Sequence, residues 1–234
     1  MNKRGELILQ HLEAVRAQRM ARASDTGLAK RVWQVKHYQQ TRFAMTYADL
    51  LATPRYAGAA SFFLDDLYGP GDFTQRDGQF ARIVPGLIRL FPAEVVATVE
   101  ALTALHALSE RLDTEMAHHV DSDALTRATY VAAWRRVGQP EARQQQLDLM
   151  LEVGHALDAH TRRSLLRHSL RAMRAPARAA GLGALQAFLE RGFETFRGLR
   201  GAAEFLAEIE TREQAVAASL FGRRDAPDAL GQLP

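Results

Sequence analysis

Two Glu-x-x-His motifs, Glu115/His118 and Glu152/His155, carry the sharpest chemistry in the chain. Such motifs on alternate helices of a bundle, with one more glutamate from each of two other helices, build a di-metal carboxylate centre. One helix separates the two motifs here, as that topology requires. Their phase argues the other way. At about 100° per residue, the apolar stripe of the first helix (Val95, Val99, Leu102, Leu105, Leu108, Leu112 and Met116) points well away from Glu115 and His118. On the second, Leu147, Met150, Leu151 and Leu157 define the buried side, and Glu152 and His155 fall beside it. The helix between them carries no acid after Asp123. Surface Glu–His pairs are the plainer reading, and no cofactor is expected.

Anion recognition is the stronger idea. Arg163, Arg167, Arg171 and Arg174 fall within roughly 80° of one helix face, with His160 beside them and Leu165, Leu166, Leu170 and Met173 on the neighbouring face. Arg174 and Arg178 flank a helix start at Pro176, and a helix N-terminus with guanidinium groups suits a phosphate or carboxylate. The plainer reading of the same arginines is a solvated face, or one paired with the acidic middle of the chain. Nearer the start, "AKRVWQVKHYQQTRF" interleaves Lys30, Arg31, Lys36 and Arg42 with Trp33 and Tyr38. That pattern grips nucleic acid backbone and bases, or simply packs an amphipathic helix; no helix-turn-helix or zinc module accompanies it.

The stretch "SFFLDDLYGPGDFTQRD" holds a third set: Asp65, Asp66, Tyr68, Asp72 and Asp77 as a docking surface. Asp65 and Asp66 are adjacent on a helix and diverge by about 100°, so they do not share one ion easily. Asp72/Gln75 and Thr74/Asp77 have capping-box spacing, Gly69 and Pro70 end a helix, and Phe62, Phe63, Leu67 and Phe73 pack the corner on a core. A structural corner accounts for all of these; an oxygen-only magnesium site stays open. "GLGALQ" follows no strand, which removes a dinucleotide loop. His106 borders an apolar stripe, and histidine-ligated haem rests on helix number alone.

The segments "FFLDDLYGPGDFTQRD", "GQFARIVPGLIRLFP", "ALSERLD" and "AAGLGALQAFLERGF" together resemble a family of uncharacterised proteobacterial proteins, over about Phe43 to Phe221. The resemblance implies a bacterial, helical, single-domain protein and carries no assigned activity.

The elements that must position these groups are all helical. The 3.6-residue period recurs along the chain, and no stretch alternates as a strand does. The expected fold is an all-α multi-helix bundle of about eight to ten helices with no sheet. Residues 1–53 form an N-terminal hairpin or arm, 54–222 the main domain, and 223–234 a disordered tail. Pro54 closes the second helix near Leu51, Pro85-Gly86 kinks or breaks the fourth, "VDSDAL" caps a helix from about Asp123, and the helix opened by Pro140 reaches His160 or continues to Met173.

Composition bounds the function. The 234 residues are 47% hydrophobic and 24% charged, as in ordinary globular proteins. There is no cysteine, so disulfides, thiolate metal sites and cysteine nucleophiles are excluded. The longest run without a charge, Ala179 to Leu189, is 11 residues, against the roughly 20 needed to span a bilayer. Glu6, His11, Glu13 and Arg16 interrupt the first apolar run, so no signal peptide is expected and the location is cytoplasmic. Arginine outnumbers lysine 27 to 3, as in a GC-rich bacterial genome. The net charge of +3 is uneven: residues 1–42 carry +6, 43–160 carry −7, 161–180 carry +6 and 181–234 carry −2. Such asymmetry marks an anionic partner or a chain that pairs its own segments. The sequence favours a non-catalytic binding module whose arginine face meets an anionic ligand or partner protein. The alternative is a helical-bundle cofactor protein of di-metal or haem type, and homo-oligomers are compatible with either.

Overall fold

Capping side chains fix where the first helices begin. In this computed structural model, which describes residues 2–67, 71, 73–120, 125–222, 231, 233 and 234, Asn2 accepts a hydrogen bond from the Gly5 amide (3.0 Å) and opens α1 (Lys3–Ala23). Asp25 does the same for Leu28 (2.9 Å) and opens α2 (Thr26–Thr46). Each cap satisfies one of the amides a helix start leaves without an internal partner. Two short helices follow, α3 (Ala48–Ala52) and α4 (Ala57–Phe62), and a π-helical turn over Phe63–Leu67. Then come α5 (Thr74–Leu90) and α6 (Ala93–His118). The second half holds α7 (Arg127–Val137), α8 (Pro140–Thr161), α9 (Ser164–Ala172), α10 (Arg174–Ala179), α11 (Gly183–Leu199) and α12 (Ala203–Leu220). No strand occurs among the described residues, and the protein is an all-α bundle.

Several boundaries differ from the sequence reading, each for a local reason. α5 runs unbroken through Pro85. α7 starts at Arg127, because Thr126 and Thr129 exchange side-chain and backbone hydrogen bonds in a capping box; Asp123 lies outside the described residues, as do the Gly69-Pro70 turn and residues 223–230. The α8 path stops at Thr161, since Arg163 adopts an extended backbone and a new helix begins after it. Leu233 is fully buried, with its carbonyl accepting from Arg127 (2.5 Å), and the Pro234 carbonyl accepts from the Tyr38 hydroxyl (3.2 Å).

α6 is the central strut, packed by α1, α2 and α8. The N-terminal hairpin therefore lies on the bundle: Ile8 and Leu12 of α1 join the main core with Phe62, Phe63, Phe188 and Phe205. A second core gathers Val32, Val35 and Tyr38 of α2, Tyr130 and Trp134 of α7, and Val216 and Leu220 of α12. Being enclosed on several sides, α6 buries more than its apolar stripe. Glu110 and Asp113 are also buried, which places charge inside the protein.

Candidate functional site

The seam between α2, α7, α8 and α12 is an open cleft of about 920 Å³, at the large end of the range for small-molecule sites. Arg42 reaches it from α2 on the same side as Val35, Tyr38 and Phe43, all buried. Arg143 reaches it from α8, one turn before Leu147 and two before Met150. From α7 come Tyr130 and Trp134, and from α12 Glu213.

Each buried cation is held by its surroundings. Arg42 donates to Glu213 Oε1 (2.5 Å) and lies 4.0 Å from the Phe43 ring centroid. Burial disfavours its charge, but the Glu213 carboxylate more than offsets this and keeps the guanidinium ionised. Tyr47 donates its hydroxyl to the same Glu213 oxygen (2.7 Å); burial, then the neighbouring carboxylate, push its phenol well up. Arg143 stacks 3.9 Å from the Trp134 centroid and donates to Gln146 (3.1 Å), which donates in turn to Ser109 (2.8 Å). Trp134 Nε1 is buried and has no hydrogen-bond partner among the described residues. An indole nitrogen can only donate, so Trp134 adds a third donor group to Arg42 and Arg143, beside the carboxylates Glu141 and Glu213 of the same lining.

Behind it runs a buried charge network along α6. Asp113 is fully buried, and burial, reinforced by Glu110, raises its carboxyl pKa. Glu110 binds Lys36 Nζ at 2.6 Å and also Arg22. Asp77 of α5 meets His106 (2.9 Å), Arg19 (2.9 Å) and Arg76 (3.3 Å). Burial alone would raise both carboxyls. Instead His106, Arg76 and Arg19 hold Asp77 down at about 2, and Lys36 and Arg22 hold Glu110 down at about 2.

The residues singled out from sequence lie elsewhere. Arg167 and Arg171 reach Glu194 (3.6 and 3.4 Å) and Arg174 reaches Glu190 (2.6 Å), so this face is paired, by acids of α11 rather than of the chain's middle. Arg163 and Arg178 are exposed. In the corner, Asp65 is exposed and accepts from Gln40 (3.3 Å), Asp66 is clamped by Arg191, and Asp77 is inside the network. Tyr68 and Asp72 lie outside the described residues. Glu115 accepts from Arg111 (2.6 Å) and Gln139 (2.5 Å), while His118, Glu152 and His155 are exposed. No group of three or more metal-ligating side chains forms among the described residues, and no helix of theirs is long and apolar enough to cross a membrane.

A domain of unknown function, DUF8198, matches residues 18–227. The chain belongs to that family. No curated protein and no solved structure matches it. The DUF8198 region takes in the whole cleft, from Gln39 to Phe221, and all the arginines of α9 and α10. Sequence reading named Arg42 only within the basic-aromatic pattern of α2 and passed over Arg143, Trp134 and Glu213. The available signal was a charge at an apolar-phase position, as with Arg143 beside Leu147 and Met150.

Proposed function

We propose that the protein is a binding module, rather than an enzyme, for a small organic anion with a flat or apolar body, received in the cleft between α2, α7, α8 and α12. The observation that carries this is the convergence of donors. Two buried arginine side chains and the Trp134 indole line one open cleft beside aromatic ring faces, and the indole Nε1–H is buried without a partner among the described residues. Donors need acceptors, buried polar groups without partners demand an explanation, and guanidinium groups favour carboxylate and phosphate. The cleft's half-buried carboxylate, Glu213, is engaged by Arg42 and Tyr47, which suits a fixed wall better than a proton-transfer group. The paired arginine face of α9 is a weaker place for an anion, which would have to displace Glu190 and Glu194.

The two tryptophans give the test, since Trp33 is half exposed and Trp134 buried. Phenyl phosphate, indole-3-acetate and citrate are titrated while both indole N–H resonances are followed. At least one aromatic anion is expected to move the Trp134 resonance and leave Trp33 in place. Arg143→Met should weaken that binding tenfold or more, since a hydrogen bond to a charged group is worth about 1.5–3 kcal/mol. Charge reversal at Arg163, Arg167 and Arg171 should leave it unchanged. Silence with all three probes, or full affinity in Arg143→Met, refutes the reading.

A further inference from the structure

A second cavity, of about 390 Å³, lies beneath α9 and shares no lining residue with the cleft. Its walls are almost wholly apolar side chains of α5, α6, α8 and α11. The exception that matters is His160, 8% exposed at the end of α8. The Thr98 hydroxyl gives its proton to the Glu94 carbonyl (2.9 Å), so the imidazole Nε2, 2.9 Å from Thr98 Oγ1, must be the donor in that contact. Nδ1 of the neutral ring is then an acceptor, and it is buried with no hydrogen-bond partner among the described residues. Burial and the nearby Arg163 both favour the neutral ring.

The volume limits what can enter. A helix about 10 Å across fills roughly 400 Å³ in a single 5.4 Å turn, so a partner helix or a second copy of the bundle does not fit. A methylene group is close in size to a water molecule, about 30 Å³, and the cavity therefore holds about a dozen carbons in a single chain. The buried acceptor at His160 calls for a hydroxyl or carboxyl proton on that chain. An acid can pass that proton to Nδ1 and leave a carboxylate between the imidazolium and Arg163 at the surface, which neither an alcohol nor an amine can do.

We propose that this cavity binds one fatty acid of about a dozen carbons, its carboxyl group hydrogen-bonded to His160 Nδ1 and its chain along the apolar walls. The arginine-rich helix then has a role as cover. α9 turns Leu166 and Leu170 toward the cavity and is tied down outside by Arg167 and Arg171 to Glu194. Exposed ion pairs hold weakly, typically below about 1 kcal/mol each, which lets the cover lift. Leu90, 71% exposed, and Met173 line the same cavity and supply an apolar threshold.

The test is calorimetric titration of the delipidated full chain with dodecanoic acid below its micellar concentration, beside NMR of the acid labelled with ¹³C at the carboxyl. One-to-one binding is expected, with a shifted carboxyl resonance. His160→Leu should lower affinity at least tenfold and abolish the shift. Leu170→Trp, which fills the cavity from a partly exposed helix, should block binding with the melting temperature unchanged, and carries the test if His160→Leu misfolds. Dodecyltrimethylammonium, with the same chain and an opposite head, should bind at least tenfold more weakly. No binding of dodecanoic acid, equal binding of both amphiphiles, or undiminished binding in Leu170→Trp overturns the proposal.

Discussion

Glu110→Gln is the perturbation that most directly questions the buried network. The substitution keeps the shape of the side chain and removes its charge, leaving Lys36 at 2.6 Å and Arg22 without their counter-ion, and Arg19 at 3.8 Å weakened. Removing one partner of a buried pair costs about 3–5 kcal/mol. The titration of Glu110 gives an independent figure: its carboxyl sits at about 2 in the folded protein against an ordinary 4.5. At 1.36 kcal/mol per pH unit, that is about 3 kcal/mol of folding stability at pH 7. A depressed folded pKa contributes stability that is complete above the unfolded value and is lost as pH falls through the folded one. The contribution should therefore be whole above about pH 5, shrink to about 1 kcal/mol at pH 3, and vanish below about pH 2. Urea unfolding of wild type and Glu110→Gln at pH 7, 5 and 3 measures this. The expected result is a gap of about 3 kcal/mol at pH 7 that closes on acidification. A gap under about 1 kcal/mol at pH 7, within the range of an exposed pair, or one independent of pH, would refute the assignment of Glu110 as the charge that holds α1 and α2 on α6.

Other outcomes follow from single contacts. A methyl group at Gly154 would lie 2.6 Å from Cδ2 of the buried Leu206, so Gly154→Ala should cost about 1–2 kcal/mol even after its gain in helix propensity. Gly78→Ala, on the exposed side of α5 with nothing within 4 Å, should stabilise by up to about 1 kcal/mol; equal urea midpoints for the two variants would contradict this. Glu190→Gln with Glu194→Gln should speed trypsin cleavage after Arg167 and Arg171 while global stability changes by less than about 1 kcal/mol; unchanged cleavage would mean that those pairs do not hold α9.

Periodicity and punctuation made the helical class legible. Pro140 and the apolar positions Leu147, Met150 and Leu151 of α8 stand where the reading placed them, because helix starts and the 3.6-residue period are set within a few residues. The cleft was not legible. It joins Arg42 to Glu213 across 171 residues, and no local rule encodes which helices meet. The four best advertised residues for metal chemistry, Glu115, His118, Glu152 and His155, are a half-buried hydrogen-bonded acid and three exposed side chains. What local pattern did offer was Arg42, Glu110, Asp113 and Arg143, charges in phase with buried apolar neighbours. A charge at such a position has to be paired, neutralised or functional, and is therefore a better lead than a motif on a solvated face.

The uneven charge along the chain finds its explanation inside the fold. The basic first segment meets the acidic middle through Arg4–Glu100, Arg19–Asp77 and Lys36–Glu110. The second basic segment meets Glu190 and Glu194 of the acidic end. Most of the asymmetry is thus complementarity between segments of one chain, and it gives no separate support for an anionic partner. Such pairs are poor sources of stability when exposed and costly to desolvate when buried. Their stronger effect is to penalise misplacement: a hairpin of α1 and α2 docked one turn out of register would bury Glu110 without Lys36 and Arg22. The case for an anion then rests on groups that burial makes expensive and that the fold retains at a cleft, Arg42, Arg143 and the Trp134 indole. For that reason substitution there, and not on the arginine-rich outer face of α9, is the decisive perturbation for the binding reading.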